Sequence, residues 1–297
     1  MLLAATYLLA VAAQSPAPHG HGASTDTAAT KREIRALADA RSHAVGRTGA
    51  AALAVGISPV TVVQYPGLST VRGPTAVRDA AIRRYGAAGI QLSTQHTVVA
   101  SDGLFGCAIG RTVIRFAADA APGQRLGRFV TCWSRASIRA AWRLAVHAQT
   151  GEDPGGGELE ADLAGPPYSA SGRHERDDRY AAVAADRAFA RWAVDSGTAS
   201  AFTHFAAEDA IMLSARPRPR RGPAEISQVF VPAGEITRIS WQVDRSSAFG
   251  SGGLAATVGT GVVYSTAGQS RTKYLTLWRQ GADGAWRFIV DIGSERP

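Results

Sequence analysis

The sequence predicts an α+β fold that occurs twice in tandem, with the helices of each copy packed on a strongly curved antiparallel sheet. Three observations lead to this prediction. Segments of the first half recur in the second half at a nearly constant spacing. In the second half, helical periodicity precedes two-residue alternation, as in domains whose helices come before a strand meander. A stretch rich in Gly, Pro and charged residues separates the halves, as a linker would.

The repeat is visible by direct comparison. The segment "VRGPTAV" matches "RRGPAEI", which places Gly73 and Gly222 149 residues apart. The spacing falls to 145 between Trp133 and Trp278, because the first copy carries extra residues in the turn "AADAAPG". Turns tolerate such insertions. We therefore expect a tail at 1–31, a first domain at 32–150, a linker at 151–177 and a second domain at 178–297.

The second copy begins with two predicted helices. In "DRYAAVAADRAFARWAVDSG", Val183, Phe189 and Trp192 recur near the helical period, and Gly197 is a typical helix stop. The segment "SAFTHFAAED" predicts a second helix. A short apolar strand follows, and then a one-turn helix that begins near Pro223.

The remainder of the second copy alternates as strands do. The segments "ITRISWQVD", "LAATVGTGVVYS" and "KYLTLWRQ" predict three strands, and Asp283-Gly284 is typical of a hairpin turn. In the last strand, "AWRFIVDIG", alternation places Phe288 and Val290 on one face and Asp291 on the other. This order completes an antiparallel sheet after the helices.

Composition and charge restrict the classes of function. The chain has 297 residues, of which 45% are hydrophobic and 19% charged, as in ordinary globular proteins. Its net charge of +8 is spread over both halves, apart from the run "RPRPRR". No aromatic-rich RNA-binding motif, zinc-finger spacing or helix-turn-helix pattern accompanies the basic residues. The sequence therefore does not favour nucleic-acid binding.

The first residues predict export. The apolar run from Leu2 to Ala13 is too short to span a bilayer but fits the hydrophobic region of a signal peptide, and Ala10-Val11-Ala12 is a suitable cleavage site. The usual basic residue before this region is absent. We expect a periplasmic or secreted protein that has no membrane contact after cleavage. Burial of the run as the start of a helix is the alternative.

Two cysteines, Cys107 and Cys132, lie on strands predicted to be neighbours. In an oxidising compartment they could pair, but the pattern does not fix the strand register that pairing requires. Two separate buried thiols are the favoured interpretation. The histidines of "HGHG" are too few for a metal site, so no metal or organic cofactor is expected.

The segments "KYLTLWRQGADGAWRFIVDIG", "HFAAEDAIML" and "RGPAEI" resemble the SnoaL-like, ketosteroid-isomerase-like group of the nuclear-transport-factor-2-like superfamily. The resemblance covers the second copy and, more weakly, a degenerate first copy. It implies two tandem cone-shaped domains, each with helices capping a curved sheet and an apolar pocket at the open end. The group includes isomerases, dehydratases, hydrolases and non-catalytic domains, so the fold does not decide the chemistry.

Such a pocket would use a carboxylate base. The candidates are Asp209 and Asp291, although Asp209 could simply satisfy the backbone of a turn and Asp291 could be a salt-bridged surface residue. The corresponding residue of Asp291 in the first copy is His147, which places any working pocket in the second copy. The candidate ligand-binding residues are Trp192, His204, Trp241 and Tyr264.

The expected function is binding of a small, largely apolar molecule in the pocket of the second domain. A cofactor-free isomerase, dehydratase or hydrolase that uses a pocket carboxylate as general base is one alternative. A structural pseudo-dimer with both pockets filled by side chains is another. In each case the first copy is expected to pack on the second as a second subunit would. The sequence leaves open whether two whole chains also form a homodimer.

Overall fold

The computed structural model describes residues 26–116, 124–151, 159, 163, 175–214, 218–230 and 236–296. The predicted export segment up to residue 25, including "HGHG", lies outside the described residues. So do most of the predicted linker and part of "RPRPRR".

The first domain consists of two helices, a short 3-10 turn and six strands. Its elements are α1 (Thr27–Thr48), the 3-10 turn (Ala50–Ala54), β1 (Ile57–Gln64), β2 (Val71–Arg72), α2 (Pro74–Tyr85), β3 (Gly89–Val99), β4 (Phe105–Arg115), β5 (Gln124–Ser134) and β6 (Arg143–Gln149).

The second domain repeats this plan with one more helix. Its elements are α3 (Glu175–Ser196), α4 (Thr198–Phe205), β7 (Ala206–Leu213), β8 (Arg220–Arg221), α5 (Gly222–Ser227), a 3-10 turn (Gln228–Phe230), β9 (Ile236–Ser251), β10 (Leu254–Ser265), β11 (Gly268–Gln280) and β12 (Trp286–Glu295).

The two sheets have the same strand order. The first runs β2-β1-β6-β5-β4-β3 and the second runs β8-β7-β12-β11-β10-β9. The predicted α+β fold and its duplication are therefore confirmed. One pair in each sheet departs from the predicted antiparallel pattern, because β1 and β6, like β7 and β12, are parallel. In each pair the two strands are the first and the last strand of the domain in sequence. The long chain between them permits a parallel crossover.

The long helices follow from local sequence signals. The side chain of Asp26 caps α1 by accepting a hydrogen bond from the Ala29 amide at 2.9 Å. Gly49 and Gly197 both follow the long helix of their domain at positive φ, and they are 148 residues apart. The buried faces repeat at the same spacing, since Ala38 of α1 corresponds to Asp186 of α3.

This helix spacing corrects the predicted apolar stripe of α3. The buried side chains there include Ala182, Asp186, Phe189 and Ala193, which recur at helical spacing. Trp192 lies off this face and is 37% exposed. Trp192 was assigned to the apolar stripe because it is aromatic, but the helix directs its side chain away from the buried face.

One hydrophobic cluster spans both domains. Val62, Phe105 and Val146 of the first sheet belong to it together with Ile211 and Val290 of the second sheet. The Sγ atoms of Cys107 and Cys132 are bonded within this cluster. The two residues are directly paired across β4 and β5, so the favoured interpretation as two separate thiols was wrong. The register that decides this pairing was not readable from the sequence.

Polar contacts join the equivalent β3–β4 and β9–β10 turns. The Ser251 hydroxyl donates to Asp102 at 3.0 Å, and the Ser101 amide donates to the Gly252 carbonyl at 3.1 Å. Gly252 has a φ of 52°, and a Cβ there would lie 2.7 Å from atoms of Asp102. Glycine is therefore required where the two turns meet. Arg72 of the edge strand β2 forms an ion pair with Asp244 of the edge strand β9.

Among the described residues, no helix combines the length and the apolar content needed to cross a membrane.

Candidate functional site

An open cavity of about 970 Å³ is lined mostly by the second domain and partly by the first. Its walls are mainly apolar and in the second domain come from α4, β7, the turn after α5 and the strands β9 to β12. The first domain adds Pro66 and Leu68. The apolar side chains of the second domain are Phe202, Met212, Leu213, Val229, Phe230, Ile236, Ile239 and Val263.

Asp291 of β12 lies in the wall of this cavity. The Thr276 hydroxyl, on the neighbouring strand β11, donates to Asp291 Oδ2 at 2.8 Å. Burial raises the pKa of Asp291 to about 7, although the Thr276 hydrogen bond lowers it and the charge of Asp186 raises it further. A carboxyl group with such a pKa can accept or donate a proton near neutral pH.

A β-bulge explains why Asp291 faces inward. The register of β11 and β12 shifts between Phe288 and Val290, so that Ile289 is an extra residue. A bulge reverses the alternation of faces beyond it. Asp291 and Gly293 therefore line the cavity, whereas simple alternation placed Asp291 opposite the apolar face.

Asp186 is a buried carboxylate that the sequence analysis missed. It accepts hydrogen bonds from Thr257 at 2.6 Å, Tyr274 at 2.9 Å and Trp241 at 3.2 Å. Burial raises its pKa to about 6, and the three donors oppose this rise. Its spacing from apolar residues in the sequence could have indicated that it is buried. Asp186 lies four residues after Ala182 and three before Phe189, on the buried face of an amphipathic helix.

The structure does not bring Asp209 to the cavity. Its carboxylate forms a two-pronged ion pair with Arg279, at 3.0 Å from Nη1 and 2.7 Å from Nη2. Asp209 is not among the residues that line the cavity. Its role as a general base stays a prediction that the cavity geometry does not support.

Trp192 and His204 lie together on the outside of the helical layer. Their rings stack with centroids 4.0 Å apart and planes 8° apart, and Trp192 Nε1 donates to the Ser200 hydroxyl at 3.0 Å. Neither residue lines the cavity. The stacked pair covers the junction of α3 and α4, which gives both rings a packing role.

Trp241 and Tyr264 also lie away from the cavity wall. The Trp241 ring packs edge-on against Phe189 inside the cone, and its indole NH donates to Asp186. Tyr264 lies near the end of β10, where the Arg238 guanidinium is 4.2 Å from its ring centroid. Of the six predicted site residues, the structure brings only Asp291 to the cavity.

The corresponding interior of the first domain is filled. His147 has the position of Asp291, and Thr131 Oγ1 lies 2.7 Å from its Nδ1 as Thr276 does from Asp291. The Tyr65 ring packs edge-on against both His147 and Tyr85, and the Tyr85 hydroxyl donates to Gln149 at 2.7 Å. Burial lowers the pKa of His147 to about 3, and the charge of Arg41 adds to this effect.

Among the described residues, no group of three or more His, Cys, Asp or Glu side chains is placed to hold a metal ion. Within the same part of the chain, the ionisable side chains that line the cavity are those of Asp291, Glu295, Arg83 and Arg84, and hydroxyl groups of serine and threonine lie among them.

No protein-family model matches the chain, and no curated protein matches it. Solved structures similar to it include a ketosteroid isomerase-like protein from Erwinia carotovora atroseptica, 14% identical, with a TM-score of 0.36, over 41% of this chain and 95% of the other. An NTF2-like protein with a cystatin-like fold from Novosphingobium aromaticivorans is 18% identical, with a TM-score of 0.34, over 46% and 87%. Aln2 from a Streptomyces species is 12% identical, with a TM-score of 0.34, over 46% and 94%.

At these identities and TM-scores the likeness concerns the fold alone and carries no information on activity. Each of the three structures matches less than half of this chain, whose described residues form two sheets of the same strand order. The similar solved structures include a ketosteroid isomerase-like and an NTF2-like protein, as the resemblance of the sequence predicted, and the two sheets of this chain repeat one strand order.

Proposed function

We propose that the second domain binds a small, largely apolar molecule in its cavity. The observation that supports this most directly is the cavity itself, which measures about 970 Å³ and has mainly apolar walls. Pockets for small molecules typically measure about 300–1,000 Å³ and combine apolar walls with a few polar groups. A purely structural domain pair would need no such space in the second cone.

A cavity-filling variant tests this proposal. Gly293 lies in the cavity wall, and a Cβ there would meet no atom closer than 3.9 Å. Gln should therefore be tolerated by the backbone while its side chain enters the cavity. We expect Gly293→Gln to weaken binding of the neutral apolar dye Nile red by about tenfold or more in fluorescence titrations of the full chain.

Gly89→Gln is the matched control. Gly89 is exposed on β3 and does not line the cavity, and a Cβ there would lie 3.8 Å from its nearest neighbour. Its dye affinity should equal that of the wild type. Unchanged dye binding in Gly293→Gln, or no saturable binding to the wild type, would contradict the proposal.

The position of Asp291 favours a second candidate function, proton transfer by a general base. A carboxyl group in the cavity wall with a pKa near 7 suits a general base that removes a proton from carbon next to a carbonyl group. We propose this reaction, an isomerisation or dehydration without cofactor, as the alternative. Asp291 would take the proton while a polar group of the cavity stabilises the enolate oxygen. In an isomerisation Asp291 would return the proton to another carbon of the enolate. In a dehydration the enolate would expel the β-hydroxyl group as the C–O bond breaks, and protonated Asp291 would give it the proton, so that water leaves.

Deuterium uptake from D₂O by a panel of apolar ketones would detect this proton transfer. Asp291→Asn should lower the rate by about 10²–10⁴-fold. Asp209→Asn should leave the rate unchanged, because its ion pair lies away from the cavity. Equal rates for wild type and Asp291→Asn would remove Asp291 as the base.

We also propose that the first domain takes the place of a second subunit and that the protein acts after export. The shared hydrophobic cluster and the meeting of equivalent turns support the first statement. The bond between Cys107 and Cys132 supports the second, since disulfides persist in oxidising compartments. Cell fractionation, with mass analysis of the purified chain for the missing leader and the intact disulfide, tests export.

A further inference from the structure

The rim of the cavity is built by both domains. Arg83 and Arg84, from the last turn of α2, line it together with loop 66–68 of the first domain. Ser294 and Glu295, at the end of β12, also line the cavity, next to this loop. The cavity of the second domain is therefore completed by the first.

Hydrogen bonds fix this loop to the second domain. The Gly67 amide donates to the Glu295 carbonyl at 3.3 Å. The Lys273 ammonium donates to the Leu68 carbonyl and, at 2.9 Å, to the Glu295 carbonyl. Because these bonds cross the domain boundary, the first domain holds a defined position at the rim.

Among the described residues, the rim carries two cations, Arg83 and Arg84, and one carboxylate, Glu295. Lys273 is fully buried behind the rim, and its pKa is lowered to about 8 by burial, with Arg296 and Arg84 adding to the effect. Within the described part of the chain, Arg83 forms no ion pair. Glu295 brings a carboxylate to the rim itself, and its side chain is exposed.

We propose that the ligand is an amphipathic anion, whose apolar part lies among the cavity walls and whose anionic group, such as a carboxylate, binds Arg83 and Arg84 of the first domain. The inference rests on the proposed binding function of the same cavity. It deepens that function by giving the ligand a charged end and by giving the first domain a part in recognition.

Physical chemistry supports a ligand whose apolar part is buried in the cavity and whose anionic group stays at the rim. A guanidinium group presents a planar set of donors that matches a carboxylate, and charge-assisted hydrogen bonds are stronger than neutral ones. The walls around Phe202 and Phe230 offer few hydrogen-bond partners, so burial of a charge among them would be costly. An anion would therefore stay at the rim while its chain occupies the cone.

Two probes with the same chain length test the proposal. Titration calorimetry at pH 7.5 would compare decanoate with 1-decanol on the full chain. We expect decanoate to bind about tenfold more tightly or better, because it gains charge-assisted hydrogen bonds. Raising the ionic strength should reduce this preference, because salt screens exposed charges.

Variants assign the preference to residues. Arg83→Gln/Arg84→Gln should lose most of the preference for decanoate and keep the affinity for 1-decanol. Arg83→Gln alone provides a second variant, since the exposed Arg83 side chain can be replaced without disturbing the core. Arg78→Gln is the matched control, because Arg78 lies on the same helix, pairs with Asp79 and does not line the cavity.

The outcomes separate the two proposals. If neither probe binds the wild type, the proposed binding function fails. If 1-decanol binds as tightly as decanoate, the cavity binds apolar molecules but the anionic ligand is ruled out. If the preference survives in both arginine variants, Arg83 and Arg84 do not carry it.

Discussion

The two domains have one strand order but different interiors. Ser214 and Gly293 line the cavity of the second domain. The strand pairing places Tyr65 and Gln149 at the equivalent positions of the first domain, where both are buried. Side-chain volume at a few positions therefore decides whether this fold holds a cavity. The backbone alone does not.

Emptying the first domain should have the largest effect on stability. Tyr65 is fully buried beside Tyr85 and His147. We expect Tyr65→Ser to lower the free energy of unfolding by about 3–5 kcal/mol, because it leaves a cavity among rigid neighbours. Urea unfolding measures this loss. Tyr65→Phe should change stability little, because it keeps the ring and removes a hydroxyl that has no partner among the described residues. Equal losses in both variants would refute a packing role.

Removing Asp186 should be the next largest effect. Its carboxylate accepts from three buried donors, on Thr257, Tyr274 and Trp241. Asp186→Ala leaves these donors without their acceptor, and we expect a loss of about 3 kcal/mol in urea unfolding. Ala38→Asp makes the reverse change at the equivalent position of the first domain and should also destabilise, because it buries a charge without dedicated donors. A neutral result for Asp186→Ala would contradict the network.

The two interiors should respond to pH in opposite directions. The pKa of His147 is about 3 in the folded state, below the ordinary value of about 6.5. Its contribution to stability is therefore complete above pH ~6.5 and falls as the pH drops toward ~3, because the unfolded chain takes up the proton first. Asp291 has a folded pKa of about 7, above its ordinary value of about 3.9. Its burial reduces stability as the pH rises from ~3.9 to ~7.

Variants separate these two slopes. The pH ranges of these groups overlap and their slopes partly cancel in the wild type, so each variant is read by its difference from the wild-type curve. In His147→Gln the unfolding free energy should fall more steeply as the pH rises from 4 to ~6.5. In Asp291→Asn it should fall less toward pH 7, while Asp186, whose pKa is also raised, keeps its own share of the decline. The expected change over each range is on the order of a few kcal/mol. Parallel curves for wild type and both variants would show that neither group titrates as its burial implies.

The smallest effect is expected for Asp209. Its ion pair with Arg279 is only partly buried, with side-chain exposures of 23% and 19%. We expect Asp209→Asn to cost about 1 kcal/mol or less in urea unfolding, since solvent screens such pairs. Dye binding should not change. A clear loss of binding would connect Asp209 to the cavity after all.

Much of the fold could be predicted from the sequence, because repeated segments and hydrophobic periods encode it directly. The site was harder to predict, and two residues show why. Asp291 faces the cavity only because one extra residue, Ile289, reverses the alternation of β12. Trp192 is exposed because α3 has a helical phase that its aromatic residues do not reveal. A change of one residue in register moves a side chain to the other face of a strand.

The contribution of the first domain to the rim of the cavity could not be predicted from the sequence either. Arg83 and Arg84 lie in a helix of the other copy, and their place depends on how the two domains pack. The same holds for the pairing of Cys107 with Cys132, which depends on strand register. The place of the two arginines and the pairing of the two cysteines depend on contacts between residues far apart in sequence. A local sequence pattern does not predict such contacts.

The shared hydrophobic cluster has a consequence for what each face of the first sheet can tolerate. The face that meets the second domain and the face that covers the first domain's own interior belong to two separate clusters. Bulky side chains can therefore fill the interior of the first domain without changing the face that packs on the second. The first domain can thus act as a solid wall for its neighbour.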